Sequence, residues 1–548
     1  MASKRDRELM GLVNNVVTGE LDRRDFVRRM TGLSAGAIFG GSLAGMLASR
    51  DAAAAPAGTG SRIAARYQDP APVKGGTLIA ATIDKPVNMD PAFAQLYSSM
   101  QVYQNIFNKL VYVGADYTIL PGLAKSWTQV DPTTWEFQLF ENVFFHNDEP
   151  FTAADVVYSM ERVLDPALGA PNAIFLQAVE KVETTGDYTA RIILKNPSGS
   201  FLSDLCSVFE VVNKTAIETK DPRLEPVGTG PFKMTEWVQD DHITLERWEK
   251  YHVPDRPYLD KVIFQAISDD TVRETGLRTD EMQWVMQVPL QKVDELTNEE
   301  DIKITAGKPY LPDNFFLNCT KAPFDDVRVR QAIAWSIDRQ QIVDVAFFGQ
   351  ADVATEPIYS GNPLFSGVNV WEGGPDYDKA KALLEEAGVP GLKFILDGQP
   401  QVPTQVKTAQ VLQQQFAKAG IEMEIQNVDS ATWFDRFATK VYDATISYWS
   451  ATIDPAQFIV PLLTSTSPWA FTGYASADMD ALITTFAQEV DPEKRKEAYK
   501  AVIQKYQEDA PLIPIDNQLQ QYWVRANVYG MTPLPSMEIR MEPVYIAE

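Results

Sequence analysis

The sequence predicts an α/β protein that is large enough for several domains. Its 548 residues exceed the size at which one hydrophobic core stops growing. In the second half, strand and helix patterns alternate: "LKFILDG", a helix over 406–419 and then "IEMEIQNV". Gly388 and Gly420 follow two of the helical stretches, where glycine commonly ends a helix. Alternation of this kind is typical of α/β sheets covered by helices.

The N-terminal residues 1–57 read as an export segment and not as part of the fold. Arg23 and Arg24 lie within "DRRDFVR", which resembles a twin-arginine motif. A short, weakly apolar stretch over 31–47 and small residues over 52–57 follow, as in a cleaved signal peptide. Residues 58–73 are rich in glycine, alanine and proline and are predicted to be a linker.

The mature fold is predicted to begin with a strand, "GGTLIAA", followed by a helix over Ser98 to Leu110. The stretch 120–166 then reads as strands that lead into one amphipathic helix. Thr152 and Asp155 form a predicted capping box at its start, and Asp165-Pro166 ends it. "VGTGPF" over 227–232 is predicted to be a tight connector before the hairpin strands "FKMTEW" and "HITLERW".

Further helices are predicted in the second half of the chain. They cover Val327 to Asp338, Asp376 to Ala387 and Asp491 to Glu508. A strand at Phe315 to Leu317 precedes the first of them, and 511–514 is predicted to lead back to the first domain.

Composition argues against several functions. The net charge of −25 makes nucleic acid and anionic lipid poor partners, because both would repel the chain. Cys206 and Cys319 are too few for a disulfide framework, and free buried thiols are favoured over a single bridge. The histidines show no metal-ligand spacing, so neither a metal nor a cofactor is predicted.

Several blocks resemble, in order, the extracellular solute-binding proteins of the peptide/nickel class, which are receptors of ABC importers. They are "LPGLAKSW", "WEFQLFENVFFHNDEPFTAADVVYSMERV", "GTGPFKMTEWVQDDHITLERWEKYH", "NFFLNCTKAPFDDVRVRQAIAWSIDRQQIV" and "DPEKRKEAYKAVIQKYQEDAPLIPI". The resemblance implies a two-lobed periplasmic binding protein of type II, enlarged by a third domain, with the ligand cleft between the lobes. The implied boundaries are 74–108, 228–308 and 514–548 for lobe 1, 109–227 for a small inserted domain and 309–513 for lobe 2.

The resemblance also implies a function. The chain would capture a solute in the periplasm as a monomer and deliver it to an ABC permease in the inner membrane, without catalysis. The ligand could be a peptide, an oligosaccharide or an opine-like compound. A secreted carboxylate-dependent hydrolase is the alternative from another class, although no Ser/His/Asp arrangement stands out.

Trp449 carries the most specific expectation about the site. In peptide receptors of this class, an aspartate three residues after the matching tryptophan holds the α-ammonium of the peptide. Here Thr452 stands at that spacing, and Asp454 follows two residues later. A threonine hydroxyl is a poor partner for a buried ammonium, which predicts a ligand that is neutral at that end. Asp454 could take over the vacant role if its loop differed.

Other aromatic and polar residues are weaker predictions for the cleft. Trp433, Arg436 and Trp469 lie near Trp449 in sequence, and Trp469 follows a proline in a loop rich in serine and threonine. From elsewhere in the chain, Tyr97 in "FAQLYSS" and Asn314 in "DNFFLN" are added as ligand-binding candidates. Core packing competes with each of these assignments.

Overall fold

The computed structural model describes residues 70–93, 97–449 and 453–547. The predicted signal segment, residues 58–69 of the predicted linker and Thr452 lie outside these residues. No helix in the described part of the chain is both long and apolar enough to span a membrane.

The strands, in chain order, are β1 Thr77–Thr82, β2 Val111–Val113, β3 Ile119–Pro121, β4 Ala124–Asp131, β5 Thr134–Leu139, β6 Val179–Gly186, β7 Thr189–Leu194, β8 Phe232–Val238, β9 His242–Arg247, β10 Lys261–Ala266, β11 Trp284–Met286, β12 Ile302–Leu317, β13 Ala351–Val353, β14 Lys393–Gly398, β15 Glu422–Asn427, β16 Ala444–Tyr448, β17 Leu512–Arg525, β18 Val528–Tyr529 and β19 Tyr545–Ile546.

The α-helices, in chain order, are α1 Tyr97–Tyr103, α2 Ala153–Leu164, α3 Phe201–Val208, α4 Lys214–Thr219, α5 Asp270–Arg278, α6 Val293–Leu296, α7 Val327–Trp335, α8 Arg339–Ala346, α9 Tyr377–Glu386, α10 Pro403–Lys418, α11 Ser430–Ala438, α12 Ala456–Leu463, α13 Ala477–Gln488 and α14 Pro492–Asp509. Short 3₁₀ helices cover Pro171–Leu176 and Leu290–Lys292.

Two long antiparallel strands connect the halves of the main sheet. In the described residues this sheet has eleven strands, in the order β15-β14-β16-β12-β17-β11-β1-β10-β9-β8, with β13 also paired to β17. β12 and β17 pair along nearly their whole length, and their register shifts between residues 306 and 314 of β12. We call lobe 1 the part with β1 and β8–β11, and lobe 2 the part with β13–β16. The stretch of register shifts, where β12 and β17 pass between the lobes, is called the crossing.

Each lobe is built around apolar side chains on the faces of this sheet. In lobe 1, Trp284 and Tyr522 pack with ring centroids 5.4 Å apart, and both are fully buried. In lobe 2, Phe315 packs edge-on against Phe394 and Phe416, at 6.3 and 5.7 Å. The close packing of these rings fixes β17 in lobe 1 and β12 in lobe 2, so the crossing is anchored at each end.

A separate four-stranded antiparallel sheet, β4-β5-β7-β6, forms the inserted domain together with α2, α3 and α4. The pattern read for 120–166 is confirmed here. Phe137 and Leu139 on β5 are fully buried, and Thr152 is the N-cap of α2. The backbone N–H of Thr152 donates to the Asp155 carboxylate at 2.8 Å, which satisfies one of the free donors at the helix start.

The predicted helix over Ser98 to Leu110 is too long. Helix α1 ends at Tyr103, because Asn105 uses its side chain elsewhere. Asn105 Nδ2 donates to the carbonyls of Gln101 and Ile539, and its Oδ1 accepts from the backbone N–H of Met541. Contacts with the C-terminal segment therefore replace the continuing helix.

The predicted helix over Val327 to Asp338 is divided in two. Helix α7 is capped by Asp326 and ends at Trp335, and the Asp338 side chain caps α8 by accepting from the Gln341 N–H at 3.0 Å. The predicted hairpin is confirmed as β8 and β9. The Gly230 N–H in the connector donates to Ile106 O at 2.8 Å, and a Cβ on Gly230 would lie 2.6 Å from that oxygen. The close backbone approach accounts for glycine there.

Cys206 and Cys319 are free thiols, the first buried and the second partly buried. Burial raises the pKa of the Cys319 thiol to about 11, and that of Cys206 is raised further. Neither thiol is therefore poised as a nucleophile.

Candidate ligand-binding cleft

The parallel strands of both lobes end toward the crossing. In lobe 2, β14 runs parallel to β15 and β16, and Tyr448 at the end of β16 pairs with Asp313 in the crossing. In lobe 1, β1 runs parallel to β10 and β11, and Met286 at the end of β11 pairs with Tyr522. Open α/β sheets bind ligands outside the carboxyl ends of their strands. The topology thus indicates a ligand cleft over the crossing, with one wall from each lobe.

The crossing carries a buried pair of carboxyl groups. Asp313 and Asp516 stand opposite each other on β12 and β17, and both are fully buried. Gln405 Nε2 and Gln518 Nε2 each donate to one oxygen of Asp313, at 3.0 Å. Burial raises the pKa of Asp313 to about 6; burial and the neighbouring Asp313 raise the pKa of Asp516 well above its ordinary value. Burial and the neighbouring Asp313 therefore favour the protonated form of Asp516.

Tyr448 contributes to the wall from lobe 2. Its side chain is 48% exposed although it is a large aromatic ring. Partial burial, and then the charges of Asp313 and Asp84, raise the pKa of its phenol. Asp84 belongs to lobe 1, in the turn after β1. The effect of the Asp84 charge on this phenol indicates that lobe 1 lies near Tyr448, because charges act strongly only at short range.

Trp449 and Trp469 meet at the same edge of lobe 2. Their rings pack edge-on with centroids 5.1 Å apart at 81°, and both side chains are partly buried. Trp449 Nε1 donates to the backbone carbonyl of Gln457 at 3.1 Å, and the Trp469 ring lies 6.0 Å from Phe471. The structure thus brings together two residues that the sequence proposed separately.

Trp433 and Arg436 serve the packing of α11 onto lobe 2. The Trp433 ring stacks on Phe437 at 4.9 Å, and its Nε1 donates to Thr445 Oγ1 at 2.8 Å. Arg436 Nε and Nη2 donate to the two oxygens of the buried Asp397, at 2.6 and 3.1 Å. The Arg436 charge is already paired, which leaves it poorly placed to hold an anionic ligand.

Asp454 forms a buried ion pair and does not lie on the surface of the cleft. Arg495 Nη1 and Nη2 donate to its two carboxylate oxygens at 2.6 and 2.7 Å. One of these oxygens also accepts from the Ala456 N–H at 2.9 Å, at the start of α12, and Asp454 is only 4% exposed. In this structure Asp454 has its oxygens engaged and lies away from solvent, and its expected contact with a ligand stays a prediction.

Asn314 lies inside the protein, and Tyr97 is partly buried. Asn314 is fully buried, and its Nδ2 donates to Pro312 O at 2.9 Å. The Tyr97 hydroxyl lies 2.8 Å from that of Tyr522 and 3.0 Å from Met537 O, in the packing of lobe 1. Both therefore support the fold in this conformation. Thr452 lies outside the described residues, so its expected role stays a prediction.

Lobe 2 also contacts the inserted domain through a polar network next to Trp449. Gln457 Nε2 donates to Asp204 Oδ1 at 3.0 Å and to Ser207 Oγ at 2.8 Å, both on α3. Ser200 Oγ donates to the other Asp204 oxygen at 2.8 Å. Burial, with Asp454 nearby, raises the pKa of Asp204 to about 8. Asp204 is thus largely protonated at neutral pH.

Sequence reasoning missed the polar residues of the crossing. Asp313, Gln405 and Gln518 come from three distant segments, and no local motif marks them. Tyr448 directly precedes Trp449, and its position at the end of a predicted buried strand was the available signal. Within the described residues, no group of three or more His, Cys, Asp or Glu side chains is arranged to hold a metal.

The comparisons with known proteins agree with this architecture. A profile for the bacterial extracellular solute-binding proteins, family 5 (middle) matches residues 118–470. The glutathione-binding protein GsiB of Pectobacterium atrosepticum is 27% identical over 445 residues, which are 78% of this chain and 85% of that relative.

Two solved structures are similar along nearly their whole length. The periplasmic binding protein DppA of Helicobacter pylori, in complex with the peptide STSA, superposes with a TM-score of 0.77 at 26% identity, covering 87% of this chain and 99% of that one. The binding protein AgaA of A. tumefaciens R10, in complex with agropinic acid, gives 0.76 at 26%, covering 86% and 99%. This chain therefore belongs to the bacterial extracellular solute-binding proteins of family 5, with the type II periplasmic binding fold, and is a substrate-binding receptor of the ABC-transporter class.

Proposed function

We propose that this receptor closes its two lobes over one solute at the Trp449–Trp469 corner and passes it to an inner-membrane ABC permease. The observation that carries the proposal is the aromatic corner beside the half-exposed Tyr448, at the edge where the strands of both lobes end. The long strands β12 and β17 run through both lobes, and their register shifts confine irregular backbone to the crossing. The crossing is therefore the place where the chain would bend when the lobes close. The receptor works as a monomer, since one chain supplies both walls.

The proposed ligand is a peptide, oligosaccharide or opine-like compound whose end near Trp449 carries no positive charge. The similar proteins named above bind glutathione, a short peptide and agropinic acid, so the class spans these chemistries. Thr452 replaces the aspartate expected in peptide receptors, and Asp454 is already paired with Arg495. An ammonium group at this place would therefore lack the carboxylate that peptide receptors supply from this loop, which favours a neutral sugar-bearing ligand over a plain peptide.

We further propose that the chain is a receptor without catalytic activity. Burial lowers the pKa of His146 and of His252 to about 4, so both are neutral bases inside the protein. His242 lies on the β8–β9 hairpin, paired with Asp241 and Glu236. The fully buried carboxyl pair in the crossing is not accessible to a substrate, which argues against the hydrolase alternative.

The location is proposed to be the periplasm, reached by twin-arginine export. The similar DppA is a periplasmic protein. The paired arginines of the N-terminal segment and its weakly apolar stretch support this route.

A thermal-shift screen tests the proposed function. The library contains di- and oligopeptides, oligosaccharides, opines and nickel complexes, and a ligand that binds the folded form raises the melting temperature. We expect a hit whose stabilisation is lost in Trp449→Ala and kept in Trp237→Ala, a partly buried tryptophan on β8. A library without any hit, or a hit that both variants bind equally well, would contradict the proposal.

A further inference from the structure

A cavity of about 380 Å³ lies in lobe 2 between α10 and the ends of β14 and β15. Its walls include Gly398 and Asn427, which end those two strands, and Gln405, Gln410 and Gln413 on α10. Because these strands end toward the crossing, the cavity lies on the cleft side of the lobe. Gln405 connects it directly to the crossing through its hydrogen bond to Asp313.

Carboxamides are the most numerous polar side chains of the lining. A directed chain of hydrogen bonds runs from Gln401 Nε2 to Gln399 Oε1, from Gln399 Nε2 to Gln405 Oε1, and from Gln405 Nε2 to Asp313 Oδ1, at 3.2, 3.3 and 3.0 Å. The chain ends on Asp313 because a carboxylate accepts and does not donate. Each amide nitrogen in it gives up one N–H and keeps a second.

The hydrogen bonds leave both donors and acceptors for a ligand. The amides of Gln399 and Gln405 each keep one N–H and one lone pair on the carbonyl oxygen. Gln413 Nε2 uses one N–H on Met423 O, at 2.8 Å. The cavity therefore suits a neutral group that can both donate and accept hydrogen bonds.

The charges around the cavity disfavour an anion. None of the described residues that line it is basic. The acidic lining residues are Asp397, which is neutralised by Arg436, and Glu424, which is exposed. A third carboxylate, Asp313, does not line the cavity but is hydrogen-bonded to the lining residue Gln405. A carboxylate entering this space would lose water without meeting a cation, and it would face negative charge.

We infer that this cavity is a side pocket of the ligand cleft, and that it takes a neutral hydrogen-bonding group such as a carboxamide or a sugar hydroxyl. The inference rests on the proposed function and specifies the chemistry of its ligand. Gly398 keeps the pocket open, since a Cβ at that position would lie 3.0 Å from Asn427 Oδ1 and 3.3 Å from Ile425 Cγ2. Gln399, Gln405 and Gln410 are the residues that set the preference.

Calorimetry on matched compounds tests the inference. The probes are L-alanyl-L-glutamine, L-alanyl-L-glutamate and L-alanyl-L-lysine, then N-acetylglucosamine, glucuronate and glucosamine, together with every hit of the wider screen. The key variant is Gln410→Lys, which places a cation in the pocket on an exposed position of α10. Gln414→Lys is the matched control, because Gln414 is exposed on the same helix and does not line the pocket.

The expected result has two parts. The neutral member of at least one series binds the wild type at least tenfold more tightly than its carboxylate partner. Gln410→Lys raises the affinity for the carboxylate member at least tenfold, and Gln414→Lys leaves it unchanged.

Binding that shows no neutral preference, or that responds equally to both lysine variants, overturns the inference and leaves the receptor function intact. A screen hit that binds Gln410→Lys and the wild type with the same affinity also overturns the inference and leaves the receptor function intact. No binding by any compound overturns the proposed function and this inference together.

Discussion

Replacing Arg495 by methionine should destabilise the protein strongly. Arg495 and Asp454 form a bidentate pair with N–O distances of 2.6 and 2.7 Å, and their side chains are only 7% and 5% exposed. In the variant, the Asp454 carboxylate keeps one hydrogen bond, from the Ala456 N–H, and no countercharge. Breaking a buried pair from one side costs about 3–5 kcal/mol, because the remaining charge stays buried.

The assay is urea unfolding at pH 7, followed by circular dichroism and tryptophan fluorescence. Lys496→Met on the same helix is the control: Lys496 is exposed, so its loss should change the free energy of unfolding by at most about 0.5 kcal/mol. The double variant Arg495→Met/Asp454→Asn should recover part of the loss, because no unpaired charge remains. A loss below about 1 kcal/mol in Arg495→Met would refute the reasoning, since the pair would then be exposed to water.

Further predictions concern pH, binding, export and metal content. Asp204 holds a proton in the folded protein up to about pH 8, whereas the unfolded chain loses it near pH 4, so stability should fall as pH rises through this window. Asp204→Asn should flatten that slope in urea unfolding at pH 5 and 8; an unchanged slope would contradict the assignment. Trp449→Ala should weaken binding of the screened ligand at least tenfold, and equal affinity with Trp237→Ala would place the ligand elsewhere. Arg23→Lys with Arg24→Lys should abolish periplasmic yield in cell fractionation, and an unchanged yield would exclude the twin-arginine route. Elemental analysis of untagged protein should find less than one equivalent of zinc, nickel or iron, and a tight equimolar ion would refute this.

Local sequence signals predicted many secondary-structure elements, because caps and breakers act over a few residues. Asp376 and Gly388 bound α9, and Asp491 caps α14 by accepting from the Lys494 N–H. The end of α1 could not be predicted, because Asn105 is engaged by a segment 434 residues or more away. Hydrophobic periodicity indicates which residues of a helix face inward, but it does not identify contact partners that are distant in sequence.

The site was predictable only in part for the same reason. Trp449 was recognisable from its motif, and Trp469 from its unusual loop position. Asp454 was proposed as a ligand-binding residue because it lies near Trp449 in sequence. Its partner Arg495, however, lies 41 residues further along the chain. The carboxyl pair of the crossing and its glutamines are brought together by strand pairing and the start of α10, which composition and spacing do not reveal. The domain boundaries and the role of Thr452 stay predictions.

The central claim is that this chain is a receptor that captures one solute between its lobes without transforming it. Isothermal titration calorimetry with the ligand from the screen tests it most directly, because binding and turnover give different heat signals. We predict saturable heat with a stoichiometry of one ligand per chain, and a baseline that returns to zero after each injection. A sustained heat flow after each injection, which reports turnover, or no saturable heat with any compound of the library, would contradict the claim.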